Sequence, residues 1–410
     1  MPATLPDGDP VPADGTLPPS ALAGLGHRPL EIYLHVPFCT TRCGYCDFNT
    51  YTADQLGTDP GATRATYVDA ALTELALARR VLGPAAPPVS TVFVGGGTPT
   101  LLPAGELVRF LAGVRDTFGL AAGAEVSAES NPESIDADGL AELAEGGFTR
   151  ISFGMQSADE QVLALLDRVH TPGRAAAMVD LARAAGFRQV SLDLIYGTPG
   201  ESVDSWRHTL RTALAAGPDH LSAYALIVEE GTRFAARVRR GEIPMTDDDD
   251  LADKYLVAEE ELTAAGLSWY EVSNWARTPD DRCRHNLGYW RAADWWGIGP
   301  GAHSHIGGVR FWNRKHPAAY ARALAEGRTP AQGREILTGV QRRVERVLLE
   351  LRLADGLSTD VLTGTEQARV PDLLARGLAE VHGAGTGGDR LVLTLRGRLL
   401  ADGIVRDLLD

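Results

Sequence analysis

The sequence lacks any long apolar run. Every apolar stretch is interrupted by Arg, Asp, Glu or Gly, and none approaches the roughly 20 residues that a membrane-spanning helix needs. At the amino terminus, Met1 is followed by Pro, Asp and Gly instead of basic residues and an apolar segment, so no secretory signal is predicted. Both absences argue against a membrane-spanning or exported protein and favour a cytoplasmic one.

Positive charge and cysteine are also scarce. The 39 basic residues are outnumbered by 54 acidic ones, which gives a net charge of −15, and only Lys254 and Lys315 are lysines. An acidic surface repels phosphate groups, so sequence-independent nucleic-acid binding is disfavoured. Of the four cysteines, three lie within eight residues and Cys283 stands alone. This pattern indicates a metal or cluster site in a reducing compartment and not a disulfide framework.

Strand-like apolar segments alternate with helical segments through the first half of the chain. Residues 1–26 are the exception, because their Pro-, Ala-, Gly- and Asp-rich composition predicts a flexible extension. The alternation predicts a parallel sheet, since parallel neighbours need crossover connections, and leaves an open barrel and a doubly wound sheet as alternatives. The predicted strands are 31–36, 91–96, 125–130, 150–155, 189–195 and 220–226, and the predicted helices are 64–82, 104–117, 137–146, 158–166, 173–186 and 202–216.

The pattern changes in the last part of the chain. Residues 246–266 predict a helix whose acidic start suits the positive end of the helix dipole. From about residue 338 the sequence predicts a small α+β appendage of winged-helix-like type. Its elements are a helix over 339–356 with a glycine stop, a helix over 371–381, and a strand followed by a final helix over 390–409.

The strongest motif follows the first predicted strand, where Cys39, Cys43 and Cys46 are spaced Cys-x3-Cys-x2-Cys. Three thiolates on one short loop can hold three irons of a 4Fe–4S cluster and leave the fourth iron without a protein ligand. That open iron can take a small chelate, such as the amino and carboxylate groups of S-adenosylmethionine. The alternative is a zinc site with Cys283 as fourth ligand, although zinc prefers paired Cys-x2–4-Cys spacings.

With this motif the chain resembles the radical S-adenosylmethionine (SAM) proteins, whose fold is an α/β, TIM-like partial (β/α)6 barrel. Further residues that match this family lie at the carboxyl ends of the predicted strands, which is where the functional side chains of such barrels are found. The resemblance implies that Glu129 accepts a hydrogen bond from the amino group of SAM, and that Arg168 and Asp193 act on its sugar region or on a second SAM. The implied SAM contacts are Tyr33, Tyr45, Gly96, Gly97, Thr98, Glu129, Gln156, Arg168 and Asp193.

Over about residues 29–400 the resemblance narrows to the oxygen-independent coproporphyrinogen III oxidases and the related haem chaperones. The decarboxylating branch has a fourth cysteine two positions after the third, where this chain has Phe48, and residues 1–26 do not resemble its catalytic extension. Residues 283–290 instead match the His-Asn-x-x-Tyr-Trp signature of the haem-chaperone branch. The implied haem-binding residues are His285, Asn286, Tyr289 and Trp290.

A haem site at this signature is chemically reasonable. An imidazole can ligate iron, and aromatic rings supply a flat apolar surface. Two alternatives stay open: His285 as an ordinary hydrogen-bonded histidine, and Cys283 as a thiolate ligand. The glycine-rich turn over 297–301 is expected near the cofactor mouth, and the adjoining Trp295 and Trp296 are interpreted as possible packing residues.

The resemblance implies four parts and one favoured function. The parts are a flexible extension (1–26), a radical SAM core barrel (27–265), a connecting segment with the haem signature (266–333) and a C-terminal domain like that of the oxidases (334–410). The favoured function is a cytoplasmic chaperone that transfers haem to acceptor haemoproteins. The alternative is radical oxidative decarboxylation of coproporphyrinogen III, so whether the chain is an enzyme stays open. Peripheral membrane contact and the oligomeric state are left open as well.

Overall fold

The structure is a computed structural model that describes residues 8–56, 63–168, 171–383 and 388–409. The strands are β1 (Leu30–Val36), β2 (Val89–Gly96), β3 (Leu120–Ser130), β4 (Arg150–Gln156), β5 (Gln189–Tyr196), β6 (His220–Ala225), β7 (Ser268–Glu271), β8 (Asn274–Ala276), β9 (Asp294–Ile298), β10 (His303–Ile306), β11 (Val309–Asn313), β12 (Ala331–Ile336), β13 (Leu357–Ser358), β14 (Ala379–Gly383) and β15 (Asp389–Leu393). The helices are α1 (Pro19–Leu22), α2 (Ala53–Leu56), α3 (Arg64–Leu82), α4 (Ala104–Phe118), α5 (Ala137–Gly146), α6 (Glu160–Leu165), α7 (Arg174–Ala185), α8 (Val203–Ala215), α9 (Arg233–Arg239), α10 (Asp248–Ala264), α11 (Arg284–Trp290), α12 (Pro317–Ala325), α13 (Gly339–Glu350), α14 (Gly364–Gln367), α15 (Val370–Ala375), α16 (Leu395–Leu399) and α17 (Ala401–Leu409).

Strands β1 to β6 lie side by side in chain order, and each neighbouring pair is parallel. Because right-handed crossovers between strands in chain order all fall on one face, this order excludes the doubly wound sheet. Ile32 and Leu34 of β1 are fully buried in the same core cluster as Tyr67 and Val68 of α3, which shows how a connecting helix covers the outer face. The predicted partial (β/α)6 barrel is confirmed.

The segment predicted as a connection adds strands to both edges of this six-stranded unit. On one side β9 pairs in parallel with β1 and is followed outward by antiparallel β10, β11 and β12; on the other side β8 and β7 follow β6. Neither β12 nor β7 pairs with the other, so the barrel is open between them. Strand β12 runs to Ile336, so the large sheet continues past the predicted boundary at residue 334.

Residues 8–26 pack on the barrel, which differs from the expectation of a flexible extension over 1–26. Leu17, Ala21 and Leu25 are buried at 5%, 0% and 7% exposure. Their spacing of four places them on one side of the chain around α1, an apolar stripe that the Pro- and Gly-rich composition obscures. The backbone of Asp9 also pairs with that of Arg334 on β12. Residues 1–7 lie outside the described part of the chain.

The C-terminal residues form a small α+β unit with a core cluster of its own. Its three-stranded sheet has the order β13-β15-β14, and its core includes Val347, Leu391 and Leu408. Two predicted elements differ in detail. The helix over 371–381 ends early, because Gly377 adopts a left-handed φ of 66° and the chain continues as β14. The final helix is two, α16 and α17. Within the described residues, no helix has the length and apolarity to cross a bilayer.

Candidate functional site

The three-cysteine loop begins directly after β1 and is fixed on both sides. The Cys39 N–H donates to the Tyr51 carbonyl oxygen at 3.0 Å, and the Gly44 N–H donates to the Leu166 carbonyl oxygen at 3.1 Å. Burial raises the pKa of the Cys39 thiol to about 11, and the nearby Cys46 thiol adds to the rise. A thiolate in this loop therefore needs an adjacent cation. The free and partly buried thiols are Cys39, Cys43 and Cys46.

The glycine-rich turn after β2 lies against this loop. The Gly97 N–H donates to the Val36 carbonyl oxygen at 2.8 Å, and the Thr98 N–H donates to the Phe38 carbonyl oxygen at 2.8 Å. A Cβ on Gly97 would lie 2.5 Å from the Phe38 carbonyl oxygen and 3.0 Å from the Cys39 Sγ, so this approach requires glycine. Three thiols on one loop beside a backbone cradle fit a 4Fe–4S cluster with one iron left open.

Arg168 supplies a positive charge beside the thiols. Its Nη1 lies 3.6 Å from the Cys43 Sγ, and its Nη2 donates to the Gly154 carbonyl oxygen at 3.0 Å. A Cβ on Gly154 would lie 2.8 Å from that Nη2, so the glycine leaves room for the guanidinium. Iron binds cysteine as the thiolate, and this guanidinium would offset the negative charge of a thiolate-bound cluster.

Two buried carboxyl groups lie near the carboxyl ends of β3 and β5. The Glu129 Oε2 accepts a hydrogen bond from the Gly96 N–H at 3.0 Å, so this carboxyl group holds the glycine-rich turn in place. The Asp193 Oδ2 accepts a hydrogen bond from the Ser152 hydroxyl at 2.7 Å. Burial raises the pKa of both groups, that of Glu129 to about 7. A cationic ligand group would favour their ionised forms and be bound by them.

The other predicted SAM contacts lie on the same side of the sheet. The Tyr33 hydroxyl is 2.9 Å from the His35 Nδ1 on the inner face of β1. Tyr45, in the cysteine loop, packs against an apolar cluster that contains Phe234. Gln156 ends β4 with a left-handed φ of 65°, a conformation that is uncommon for a residue other than glycine. The structure thus brings all nine predicted SAM residues to the inner face of the barrel or its carboxyl rim, by which we mean the carboxyl ends of β1–β6 and the loops that follow them.

His285 lies on the inner face of the sheet, toward the amino ends of β1 and β2, and its ring centroid is 6.4 Å from that of Tyr33. Its ring stacks on Phe93, with ring centroids 5.2 Å apart and planes 20° apart. The Nδ1 is hydrogen-bonded to the Thr91 hydroxyl at 2.7 Å, and the Nε2 to the Tyr289 hydroxyl at 2.8 Å. The ring is 1% exposed, and both of its nitrogens are hydrogen-bonded within the protein in this structure. Iron ligation by His285 stays a prediction.

Glu31 and Glu125 complete this arrangement. The Glu125 carboxylate accepts the backbone N–H groups of Arg284 and His285, both at 3.1 Å, and so anchors the first turn of α11. The Glu31 Oε2 lies 3.6 Å from the His285 Nδ1. The two side chains are not an ion pair, because burial raises the pKa of Glu31 to about 9 and lowers that of His285 to about 3. We call this set the floor network: Glu31, Thr91, Glu125, His285 and Tyr289.

The remaining signature residues also make internal contacts. The Asn286 amide donates to the Glu271 carboxylate at 2.9 Å, and the Tyr289 ring packs edge-on against Trp295 at 4.8 Å. The signature helix α11 therefore closes the amino end of the barrel, and its half-buried Trp290 packs near Leu287. The haem site predicted at His285, Asn286, Tyr289 and Trp290 stays a prediction.

Cys283, directly before the signature helix α11, also lies where that helix closes the amino end of the barrel. Its side chain is 6% exposed, and its Sγ lies 3.7 Å from the Glu125 Oε1, on the opposite side of the barrel from the cysteine loop. Burial raises the pKa of this thiol, and the Glu125 carboxylate adds to the rise. It cannot complete a zinc site with the other three cysteines, and as a protonated, enclosed thiol it is a poor iron ligand.

The glycine-rich turn over 297–301 follows β9 and lies against the cysteine loop of the carboxyl rim. The Asn49 side chain, directly after Phe48, donates to the Pro300 carbonyl oxygen at 3.0 Å and to that of Lys315 at 2.8 Å. Trp296 is buried in the core and Trp295 packs toward the floor, so both are packing residues.

Sequence reasoning missed the floor network as a unit. Its members come from three strands and one helix. His285 and Tyr289 belong to the predicted signature, but the sequence did not link Glu31, Thr91 and Glu125 to it. The signal that could have found it is the polar position in otherwise apolar strands: Glu31 in β1, Thr91 in β2 and Glu125 in β3. Because alternate side chains share a face, these positions predict a polar inner face.

The raised pKa of Glu31 predicts a specific pH dependence of stability. Its native pKa of about 9 lies above its ordinary value of 4.5, so the folded protein retains a proton that the unfolded chain releases. The contribution that this retained proton makes to the free energy of unfolding is fully present below pH 4.5 and is lost as the pH rises to about 9. The Glu31→Gln protein cannot ionise here, so its free energy of unfolding should rise relative to the parent from pH 5 to about 9, measured by urea unfolding. Parallel pH profiles for the two proteins would contradict a buried, protonated Glu31.

Comparison with known proteins agrees with the fold. Residues 33–213 match the Radical SAM superfamily, and a protein of this class binds a 4Fe–4S cluster and SAM. Heme chaperone HemW of Mycobacterium tuberculosis (strain CDC 1551 / Oshkosh) is 54% identical, covering 95% of this chain and 97% of that protein. Heme chaperone HemW of Escherichia coli (strain K12) is 39% identical, covering 68% of this chain and 70% of that protein. The chain belongs to the HemW family.

A solved structure is also similar over nearly the whole chain. Coproporphyrinogen III oxidase (HemN) from Escherichia coli, a radical SAM enzyme, has a TM-score of 0.79 and 25% identity. The similar region covers 97% of this chain and 94% of that one, so it includes the C-terminal unit as well as the barrel.

Proposed function

We propose that this protein is a haem chaperone that binds haem and transfers it to acceptor haemoproteins, on a scaffold that holds a 4Fe–4S cluster and SAM. The observation that carries the proposal is the 54% identity to a named heme chaperone over 97% of that protein. The similarity includes the signature helix, which in this structure is a structural closure of the barrel. The free thiols of the cysteine loop require a reducing compartment, which supports the cytoplasm as the place of action.

The cluster and SAM would be held at the carboxyl rim. Cys39, Cys43 and Cys46 would ligate the cluster, while the Gly96–Gly97 backbone and the Glu129 carboxylate would hold the amino acid part of SAM. When bound, the pair supplies one-electron chemistry to a radical SAM protein. Phe48 offers no donor atom where the decarboxylating branch has a fourth cysteine, and its ring is 46% exposed at the rim.

The alternative is an oxygen-independent coproporphyrinogen III oxidase. The specific observation in its favour is the TM-score of 0.79 to an enzyme of that name. Fold alone does not fix the reaction, because one scaffold can host several activities. The closer sequence similarity is to the chaperones, and we therefore place the oxidase second.

One experiment distinguishes the two functions. Cluster-reconstituted protein is loaded with ferric haem and mixed with apomyoglobin as a generic acceptor, and haem transfer is followed by absorption. A parallel sample receives coproporphyrinogen III, SAM and a reductant, and porphyrinogen products are separated chromatographically. We expect haem uptake and release to the acceptor, with no decarboxylated product. Repeated turnover of coproporphyrinogen III would overturn the chaperone proposal.

A further inference from the structure

The signature helix α11 is packed on two sides. His285 and Tyr289, one turn apart, face the floor of the barrel, and a Cβ on Gly288 would clash with the Glu31 carboxyl group. Leu287 lies on the opposite side, because two residues turn a helix by about 200°. With only seven residues, α11 is too short to be stable on its own, so its position depends on what packs against it.

The outer side of α11 is covered by a short segment of the C-terminal unit, residues 351–356, which we call the strap. Leu353 of the strap is 1% exposed and belongs to the same apolar cluster as Leu287. The Ala354 N–H donates to the Tyr270 carbonyl oxygen at 2.9 Å, which fixes the strap to β7. The signature helix is therefore enclosed between the floor of the barrel and the strap.

Asp355 clasps the strap to both ends of α11. Its Oδ2 lies 2.5 Å from the Arg291 Nη2 and its Oδ1 lies 3.6 Å from the Arg282 Nη1, and these two arginines flank the helix. The Asp355 side chain is 43% exposed. Exposed ion pairs are weak and are screened by salt, so this clasp can open without unfolding of the protein.

The strap belongs to a unit with a core of its own. Leu351 at the start of the strap and Leu357 directly after its end are fully buried in the core cluster of the C-terminal unit, which is separate from that of the barrel. Arg398 attaches this unit to the barrel at a second place, where it ion-pairs with Glu259 at 3.0 Å and lies 4.1 Å from the centre of the Trp269 ring. This arrangement lets the unit stay attached while the strap lifts.

We infer that the strap is a gate on the signature helix, closed by Asp355. While it is closed, α11 is held on the floor, where both ring nitrogens of His285 are hydrogen-bonded. When it opens, α11 can leave the floor and the signature becomes accessible to haem. The inference rests on the proposed function and deepens it, because it adds a step that controls access to the haem site predicted at this signature.

The test follows haem association by stopped-flow absorption in the full-length parent, Asp355→Asn and Asp372→Asn. Asp372 is the matched control, an exposed carboxylate of the same unit that ion-pairs with Arg376 at 3.1 Å, so both changes remove one negative charge. Asp355→Asn should bind haem about two- to fivefold faster than the control, the change in open fraction that loss of an exposed ion pair gives. This ratio should fall toward one at about 1 M NaCl, where charges are screened beyond about 3 Å.

Hydrogen exchange reports on the gate without haem. The backbone amides of α11 should exchange faster in Asp355→Asn than in Asp372→Asn, while the free energies of unfolding of the two variants stay equal, which a purely structural loss would not give. Haem association or amide exchange no faster than in the control would overturn the gate while leaving the proposed function intact. Absence of haem uptake by the parent protein would instead overturn the proposed function, and the gate with it.

Discussion

Serine at Cys39, Cys43 or Cys46 should abolish the iron–sulfur cluster in each single variant. Each change removes a soft thiolate from one iron, and a serine hydroxyl is a much poorer ligand for it. Anaerobic reconstitution followed by iron and sulfide analysis and by the visible absorption of thiolate-bound iron measures the effect. We expect the parent to hold a full cluster and each of these variants to lose nearly all of it.

Cys283→Ser is the matched control, since it makes the same chemical change in the floor of the barrel. Its Sγ lies beside the Glu125 carboxylate and not in the cysteine loop, so cluster content should stay at the parental level. Loss of the cluster in Cys283→Ser, with retention in one of the other three, would refute the assignment of Cys39, Cys43 and Cys46 as ligands.

His285→Ala should lower the free energy of unfolding by about 3–5 kcal/mol, the range for removing a large buried ring. The substitution leaves a cavity beside Phe93 and removes the partners of the Thr91 hydroxyl and the Tyr289 hydroxyl. Each unsatisfied polar group adds its own cost. Denaturant unfolding measures the loss, and His208→Ala on the exposed surface should stay within about 0.5 kcal/mol of the parent.

The same pair of variants tests the role of the signature. Suppose that His285→Ala were as stable as His208→Ala but had lost the haem spectrum. The signature would then bind haem directly, and stabilising the barrel through the floor network would not be its role. A parental Soret position in the folded fraction of His285→Ala would instead show that the signature acts through the closure of the barrel and not as an iron ligand.

The sequence predicts those features that local patterns determine. The helix expected over 64–82 is α3, with the same ends, because Val68, Leu75 and Leu82 form an apolar stripe at helical spacing. The cysteine loop and the glycine-rich turn are recognisable because each is a contiguous motif. The buried residues around α1 were missed because Leu17, Ala21 and Leu25 are set among prolines and glycines that are typical of loops.

The candidate site shows where local patterns stop being informative. The sequence predicts which residues form the His-Asn-x-x-Tyr-Trp signature, but its location in the barrel depends on Thr91 and Glu125, which are far away in the chain.

The floor of the barrel has a consequence for how the chain folds. His285 bonds to Thr91 across 194 residues of sequence, and its backbone bonds to Glu125 across 160. Contacts of such separation form slowly, because a long loop must close before they contribute. During synthesis, β1–β6 leave the ribosome before α11 exists, so Glu31 and Glu125 stay hydrated until the signature helix arrives. Closing the floor is therefore a late step, and chain termination before residue 283 would leave a barrel whose polar interior is open to water.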